Sequence, residues 1–383
     1  MIKMSVFAYL LMSSVVLDTF VWAHGPVEFH DFSPRLIQFA PGKKKWMDPD
    51  QIAELAEKNH RAGSCGGFMD ITERPDHRRA EVMVQTSLSR ADLEPAMPQE
   101  VAAILDRISE QRYEETIEHL QSYWNRYYTT RQAVDSALWI ADQFRNAAQG
   151  RADVEVQVYQ HQGWPQPSVV AKIKGTDTQL NEGIVIGAHE DSINTMVGKR
   201  ERPKARAPGA DDNASGTAAV LEVFRAFLES GLRPVRDIYF MTYAAEEVGL
   251  RGSGEIAADF AKRKVKIAGV LNLDMLLYRG PAARMGVTTS NTDARLNLFT
   301  EKLIDRYVGA PHERRSCGYS CSDHASWDEE GYPAVFLFET VDDISPWWHH
   351  PNDTLNASHE ISWAMNFVKA AAAFTVELAL RAP

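Results

Sequence analysis

The chain has 383 residues, 44% of them hydrophobic and 24% charged. That is ordinary globular usage: it excludes a disordered chain and leaves apolar material for two or three folded units, or one large unit with an appendage. The net charge of −11 excludes a nucleic-acid binder, which needs clustered Lys and Arg to neutralise phosphates.

The first residues read as an export signal. Lys3 supplies positive charge, residues 5–17 are an apolar run, and Val21, Trp22 and Ala23 end in a small-residue cleavage pattern. Asp18 interrupts the run before it reaches the roughly 20 apolar residues a spanning helix needs, and no later stretch looks membrane-spanning. A secreted or periplasmic protein follows, and in such compartments three cysteines read as one pair plus one left over. Residues 24–98, with the basic run at 43–45, glycines between 63 and 67, and prolines at 95 and 98, form an N-terminal segment. It is either a cleavable prosegment, which would make the protein a zymogen, or a small retained piece.

From Pro98 a helical pattern begins, with Val101, Ile104, Leu105 and Ile108 on one face. A second helix is predicted over 131–148, stopped by Gly150. Strands are predicted at Val154, Val156 and Val158, at 169–173 and at 183–188, the last suited to burial on both faces. There follow a helix over 214–230, a strand at 238–243, a helix near 253–263 and a strand at 267–273. A helix over 294–308, a strand at 334–338 and a closing helix over 358–380 complete the series. This alternation predicts an α/β, three-layer sandwich with a mixed, largely parallel central sheet flanked by helices.

Acidic and histidine residues fall where these strands end. His189 and Asp191, Glu246 and Glu247, and Asp274 each follow a strand, and His349 lies in the loop after the last one. Ligands of open α/β sheets bind beyond the carboxyl ends of the strands, so residues distant in sequence converge there. Alone, each has a dull explanation: Asp212 before a helix is an ordinary N-cap, and paired glutamates are ordinary surface charge. Together they match the mixed nitrogen and oxygen donor set that zinc accepts.

The runs GAHEDS (187–192), APGADDNASG (207–216), AAEEVGLRGS (244–253), LDM (273–275) and CGYSCSDHASW (317–327), with His349 through Asp353, resemble secreted bacterial leucyl aminopeptidases with two co-catalytic zinc ions. The resemblance covers about residue 98 to the end, so 99–383 is the expected zinc aminopeptidase catalytic domain. Glu190, where an apolar or aromatic residue is usual, and His350, where a small hydroxyl residue is common, depart from the pattern.

The resemblance implies two Zn2+ per chain. Asp211 would be the shared carboxylate, His189 and Asp274 would complete one site, and Glu247 and His349 the other. Asp191 would orient His189, and the Asp211–Asp212 peptide would be cis. Glu246 is implied as general base and acid, and Tyr319 as a hydrogen-bond donor to the oxyanion or else a wall tyrosine. Cys317 and Cys321 would be bridged, with Gly318 easing the turn and Cys65 left over; zinc binding by the pair is the alternative. Met275, Phe336, Phe338 and Trp348 would line the substrate pocket, or else belong to the core, which suits an apolar N-terminal side chain such as leucine. The expected substrates are peptides with a free N-terminus, the expected state a monomer without nucleic-acid or membrane partners. A glutaminyl cyclase-like zinc enzyme is the alternative activity.

Overall fold

The structure, a computed structural model, describes residues 33–40, 42–61, 67–72, 93–180, 182–339, 344–355 and 359–381. The expected signal at 1–23 and Cys65 lie outside them. No helix among the described residues is long and apolar enough to cross a membrane.

Strands β1 (Arg35–Ala40), β2 (Lys43–Met47) and, after helix α1 (Pro49–Arg61), β3 (Met69–Asp70) make a small antiparallel sheet in the order β2-β1-β3. None of these elements is among those expected from the sequence. Helices α2 (Pro98–Leu105), α3 (Glu110–Ser122) and α4 (Arg131–Ala147) follow. Ser109 and Thr130 each accept a backbone N–H at the start of α3 and α4, from Arg112 and Ala133. The chain then alternates through β4 (Val154–Tyr159), β5 (Ser168–Ile173), β6 (Glu182–His189), α5 (Gly216–Glu229), β7 (Asp237–Tyr243), α6 (Arg251–Lys262) and β8 (Lys266–Asp274). It ends with β9 (Met285–Thr288), α7 (Ala294–Leu303), β10 (His312–Arg315), α8 (His324–Glu329), β11 (Ala334–Phe338) and α9 (Ile361–Ala379).

Eight strands form the main sheet in the order β10-β9-β11-β8-β6-β7-β5-β4. Strands β11, β8, β6 and β7 run parallel at its centre, and antiparallel pairing joins β7 to β5, β5 to β4 and β11 to β9. The sheet is therefore mixed and mostly parallel, as expected. Its alternation sorts the core into two layers. Ile184 and Ile186 face a cluster with Phe144, Phe224 and Phe374, which lie on α4, α5 and α9. Val185 and Met241 face the other cluster, with Ile256, Phe260 and Trp327 of α6 and α8.

Candidate metal centre

His189 is the last residue of β6 and Asp274 the last of β8, so the parallel register carries both to the same edge of the sheet. Glu246 and Glu247 follow β7 in a short 3-10 turn entered through Ala245, a non-glycine residue with φ of 57°. Met275 (φ 51°) and His349 (φ 57°) share this uncommon left-handed conformation. Such residues collect where surrounding contacts force side chains into one place. Asp191 ties two of these strand ends together: it accepts the backbone N–H of Glu246 (3.0 Å) and Glu247 (3.3 Å) and lies 3.4 Å from Nδ1 of His189.

Nε2 of His189 lies 3.1 Å from Oδ1 of Asp212 and 3.3 Å from Oδ1 of Asp274. Nε2 of His349 lies 2.9 Å from Oδ2 of Asp212 and 2.8 Å from Oε2 of Glu247. Two buried groups, each able to hold a cation, therefore share one residue, His189-Asp212-Asp274 and Asp212-Glu247-His349. One oxygen of Asp212 belongs to each.

The expectation for Asp211 is corrected here. Asp211 belongs to neither group: its Oδ1 accepts the Leu277 N–H (2.8 Å), and its Oδ2 lies 3.7 Å from His359. The cis peptide likewise joins Asp212 to Asn213, one residue later than expected. Asp353 sets this register, because its two carboxylate oxygens accept the backbone N–H of Asp211 (2.9 Å) and of Asp212 (3.0 Å). Neighbouring side chains of a loop diverge, so only one of the two aspartates enters the site.

Whether these residues fit metal can be judged from their polar atoms. Oε1 of Glu247 is buried and accepts no hydrogen bond, and Oε2 of Glu247 and Oδ1 of Asp274 meet only the imidazoles they share with Asp212, which is costly for carboxylates unless a cation answers them. The electrostatics agree. Burial pushes the Glu247 carboxyl up to about 7 and Glu246 well above its ordinary value, and it raises Asp274 as well. Burial would lower His349, but the charges of Glu247 and Asp212 outweigh it and push the imidazole up to about 10. Burial would raise Asp212, yet the imidazoles of His349 and His189 hold it well below the carboxylate range. Three acids crowded onto two imidazoles are short of positive charge, and divalent cations fit that deficit.

Glu246 is buried beside the two groups with its Oε2 unpartnered. Ser322 donates to Oδ2 of Asp274 (2.6 Å) from the end of a loop closed by the Cys317–Cys321 disulfide, in which Tyr319 is half-buried. Phe338 pairs with Asp274 in the β11/β8 register, and its ring lies 5.5 Å from that of Phe336. Met275 is buried directly after Asp274, and the Trp348 ring lies 4.3 Å from that of His349. Glu190 turns away from the donor groups and accepts a hydrogen bond from Thr242, while His350 accepts the Asn352 N–H (3.1 Å).

Sequence reasoning assigned no role to Asp353, nor to Arg126. The buried Arg126 guanidinium donates to the carbonyls of Glu190 (2.9 Å), Pro208 and Gly209 (2.9 Å), and so joins the end of β6 to the aspartate loop. Arg126 sits in no pattern that reports such a role, and Asp353 closes the run from His349 that resembles the family without a role attached to it.

The model of peptidase family M28 matches residues 168–373. A probable leucine aminopeptidase of Trichophyton verrucosum is 33% identical over 355 residues, covering 90% of this chain and 92% of its own length. The crystal structure of the Legionella pneumophila LapA aminopeptidase has a TM-score of 0.77 at 33% identity, covering 89% of this chain and 93% of its own. That of LapB from the same organism has a TM-score of 0.77 at 30% identity, covering 91% and 100%. With the match spanning every residue of both donor groups, the chain belongs to peptidase family M28.

Proposed function

We propose that this chain, a metallo-aminopeptidase by its family, is an exported enzyme that uses two zinc ions to hydrolyse the N-terminal peptide bond of peptides, with preference for apolar residues such as leucine. The observation that carries the reading is the pair of donor groups sharing Asp212, which supports two cations rather than one. His189 and Asp274 would hold the first, Glu247 and His349 the second, and Asp212 both. Zinc bound there would supply Lewis acidity, polarising the substrate carbonyl and acidifying the attacking water.

The chain's own residues do the rest. Glu246, whose carboxyl burial pushes well above its ordinary value, takes the proton of the water and returns it to the departing amine. Asp191 orients His189, and Tyr319 donates to the developing oxyanion. Carboxylates around the centre suit the cationic α-amino group of a substrate. Met275, Phe336, Phe338 and Trp348 receive its first side chain. The relatives named leucine aminopeptidase support that preference.

Export directed by residues 1–23 is supported by the Cys317–Cys321 bond. Residues 24–98 are read as an N-terminal segment or prosegment ahead of the catalytic domain at 99–383. N-terminal sequencing of the exported protein separates the two: a start at His24 marks a retained segment, a start near 99 a zymogen.

The deciding experiment combines metal analysis with leucine anilide turnover. Two zinc ions per chain are expected, with activity lost to a chelator and absent on an N-acetylated substrate. Glu246→Gln should keep both ions while kcat falls about 10²- to 10⁴-fold. Equal turnover of the acetylated substrate, or near-normal activity in the variant, would overturn the reading.

A further inference from the structure

A cavity separates the small N-terminal sheet from the loop that carries Glu247. Four cationic side chains line it: Arg35 from β1, Lys199 and Arg202 from the segment after β6, and Arg251 at the start of α6. Asp70 answers two of them, at 2.7 Å from Arg35 and 3.6 Å from Arg251. Glu247 borders the same cavity, but its carboxylate is engaged with His349 at 2.8 Å. Arg202 is different. It is only 8% exposed, its Nε has no hydrogen-bond partner, and among the described residues no carboxylate lies within ion-pair distance of it. The aromatic walls Tyr127, Tyr128 and Phe68 offer no charge to offset it.

A guanidinium taken out of water keeps its charge, so it needs an anion to remain there at tolerable cost. Its flat fork of donors matches the two oxygens of a carboxylate or an oxyanion such as phosphate. We infer that this cavity is an anion-binding site, built on Arg202 with Lys199, that takes a small oxyanion or carboxylate. Two sources share that chemistry: a free inorganic anion, and the C-terminal carboxylate of a short peptide, the latter resting on the aminopeptidase reading.

Inorganic phosphate, titrated into the metal-loaded full chain in a buffer free of other oxyanions, should raise the unfolding midpoint saturably. Arg202→Gln should weaken that response at least tenfold. The response should survive chelation, which separates it from binding at the metal centre; its loss on chelation overturns the inference. Leu-Gly-Gly and its C-terminal amide supply the second arm. A KM lower for the acid by about tenfold, levelled in Arg202→Gln, identifies the substrate carboxylate as occupant. An unchanged ratio with the phosphate response lost in the variant identifies a free anion. If Arg202→Gln does not fold, Lys199→Gln decides: a weakened phosphate response supports the site. A response equal to that of the parent chain overturns it. Because the phosphate arm needs no turnover, a failed aminopeptidase assay leaves it interpretable.

Discussion

Asp211 and Asp212 are the same residue type on the same loop, but their carboxylates have different work. Asp212 lies between two imidazoles, whereas Asp211 accepts the Leu277 N–H in a buried setting (2.8 Å). Asp212→Asn should therefore reduce metal content from two ions to below one per chain and cut kcat at least a hundredfold. Asp211→Asn should keep both ions and lose about 1–3 kcal/mol of stability through the weakened buried contact. Metal analysis after gel filtration, with unfolding midpoints, checks both; stripped metal in the Asp211 variant alone would reverse the assignment. The resemblance located this loop but assigned the wrong neighbour, because a matching run reports which residues share a loop and says nothing of which way adjacent side chains turn. What turns them is Asp353, some 140 positions away in the chain.

Among the elements, the strands that end at the donor groups were the most legible. Strand β11 was expected at 334–338 and found there, and β6, β7 and β8 lie within a residue of expectation at each end, since buried parallel strands read as short unbroken apolar runs. Helix α3 was missed: Glu110–Ser122 is mostly polar, and only Tyr113, Thr116, Ile117 and Leu120 are buried. Strands β9 and β10 were missed for a related reason, being four residues each, with β10 reading His-Glu-Arg-Arg. Also illegible was the support under the end of β7. Ser168 on β5 accepts the Ala244 N–H (2.9 Å) and meets Nε2 of His161 (2.7 Å), whose Nδ1 meets Glu255 on α6 (2.8 Å). A carboxylate only accepts, so Nδ1–H of His161 donates to Glu255. Ser168→Ala would leave buried partners unsatisfied two residues before Glu246. It should cost about 1–3 kcal/mol and lower kcat, read as a reduced denaturant midpoint with unchanged m-value; an unshifted midpoint would remove this chain of contacts from the account of the loop.

At the scale of the whole molecule, stability against pH is set by groups that ionise differently in the folded and unfolded chain. His324, at the start of α8, is fully buried, stacks on Phe336 at 4.5 Å and meets the Ser290 carbonyl at 3.0 Å. Burial drives its pKa down to about 3, while an exposed imidazole titrates near 6.5. The folded chain therefore keeps this ring neutral over a range in which the unfolded chain binds a proton. Its contribution is fully present above about pH 6.5 and is lost as pH falls toward 3. At pH 5 the loss amounts to about 2 kcal/mol. Release of metal from the buried centre also acts in acid, so the wild-type curve alone does not isolate the effect. His324→Gln does, because glutamine carries no titrating proton and still offers an N–H toward Ser290. The variant should be less stable than the parent at pH 7.5, and the gap between the two unfolding free energies should shrink by about that amount at pH 5. A gap that stays constant with pH would mean that the ring takes up its proton alike in the folded and the unfolded chain, and the packing of α8 against β11 would then need an anion near Phe336 to answer the charge at pH 5.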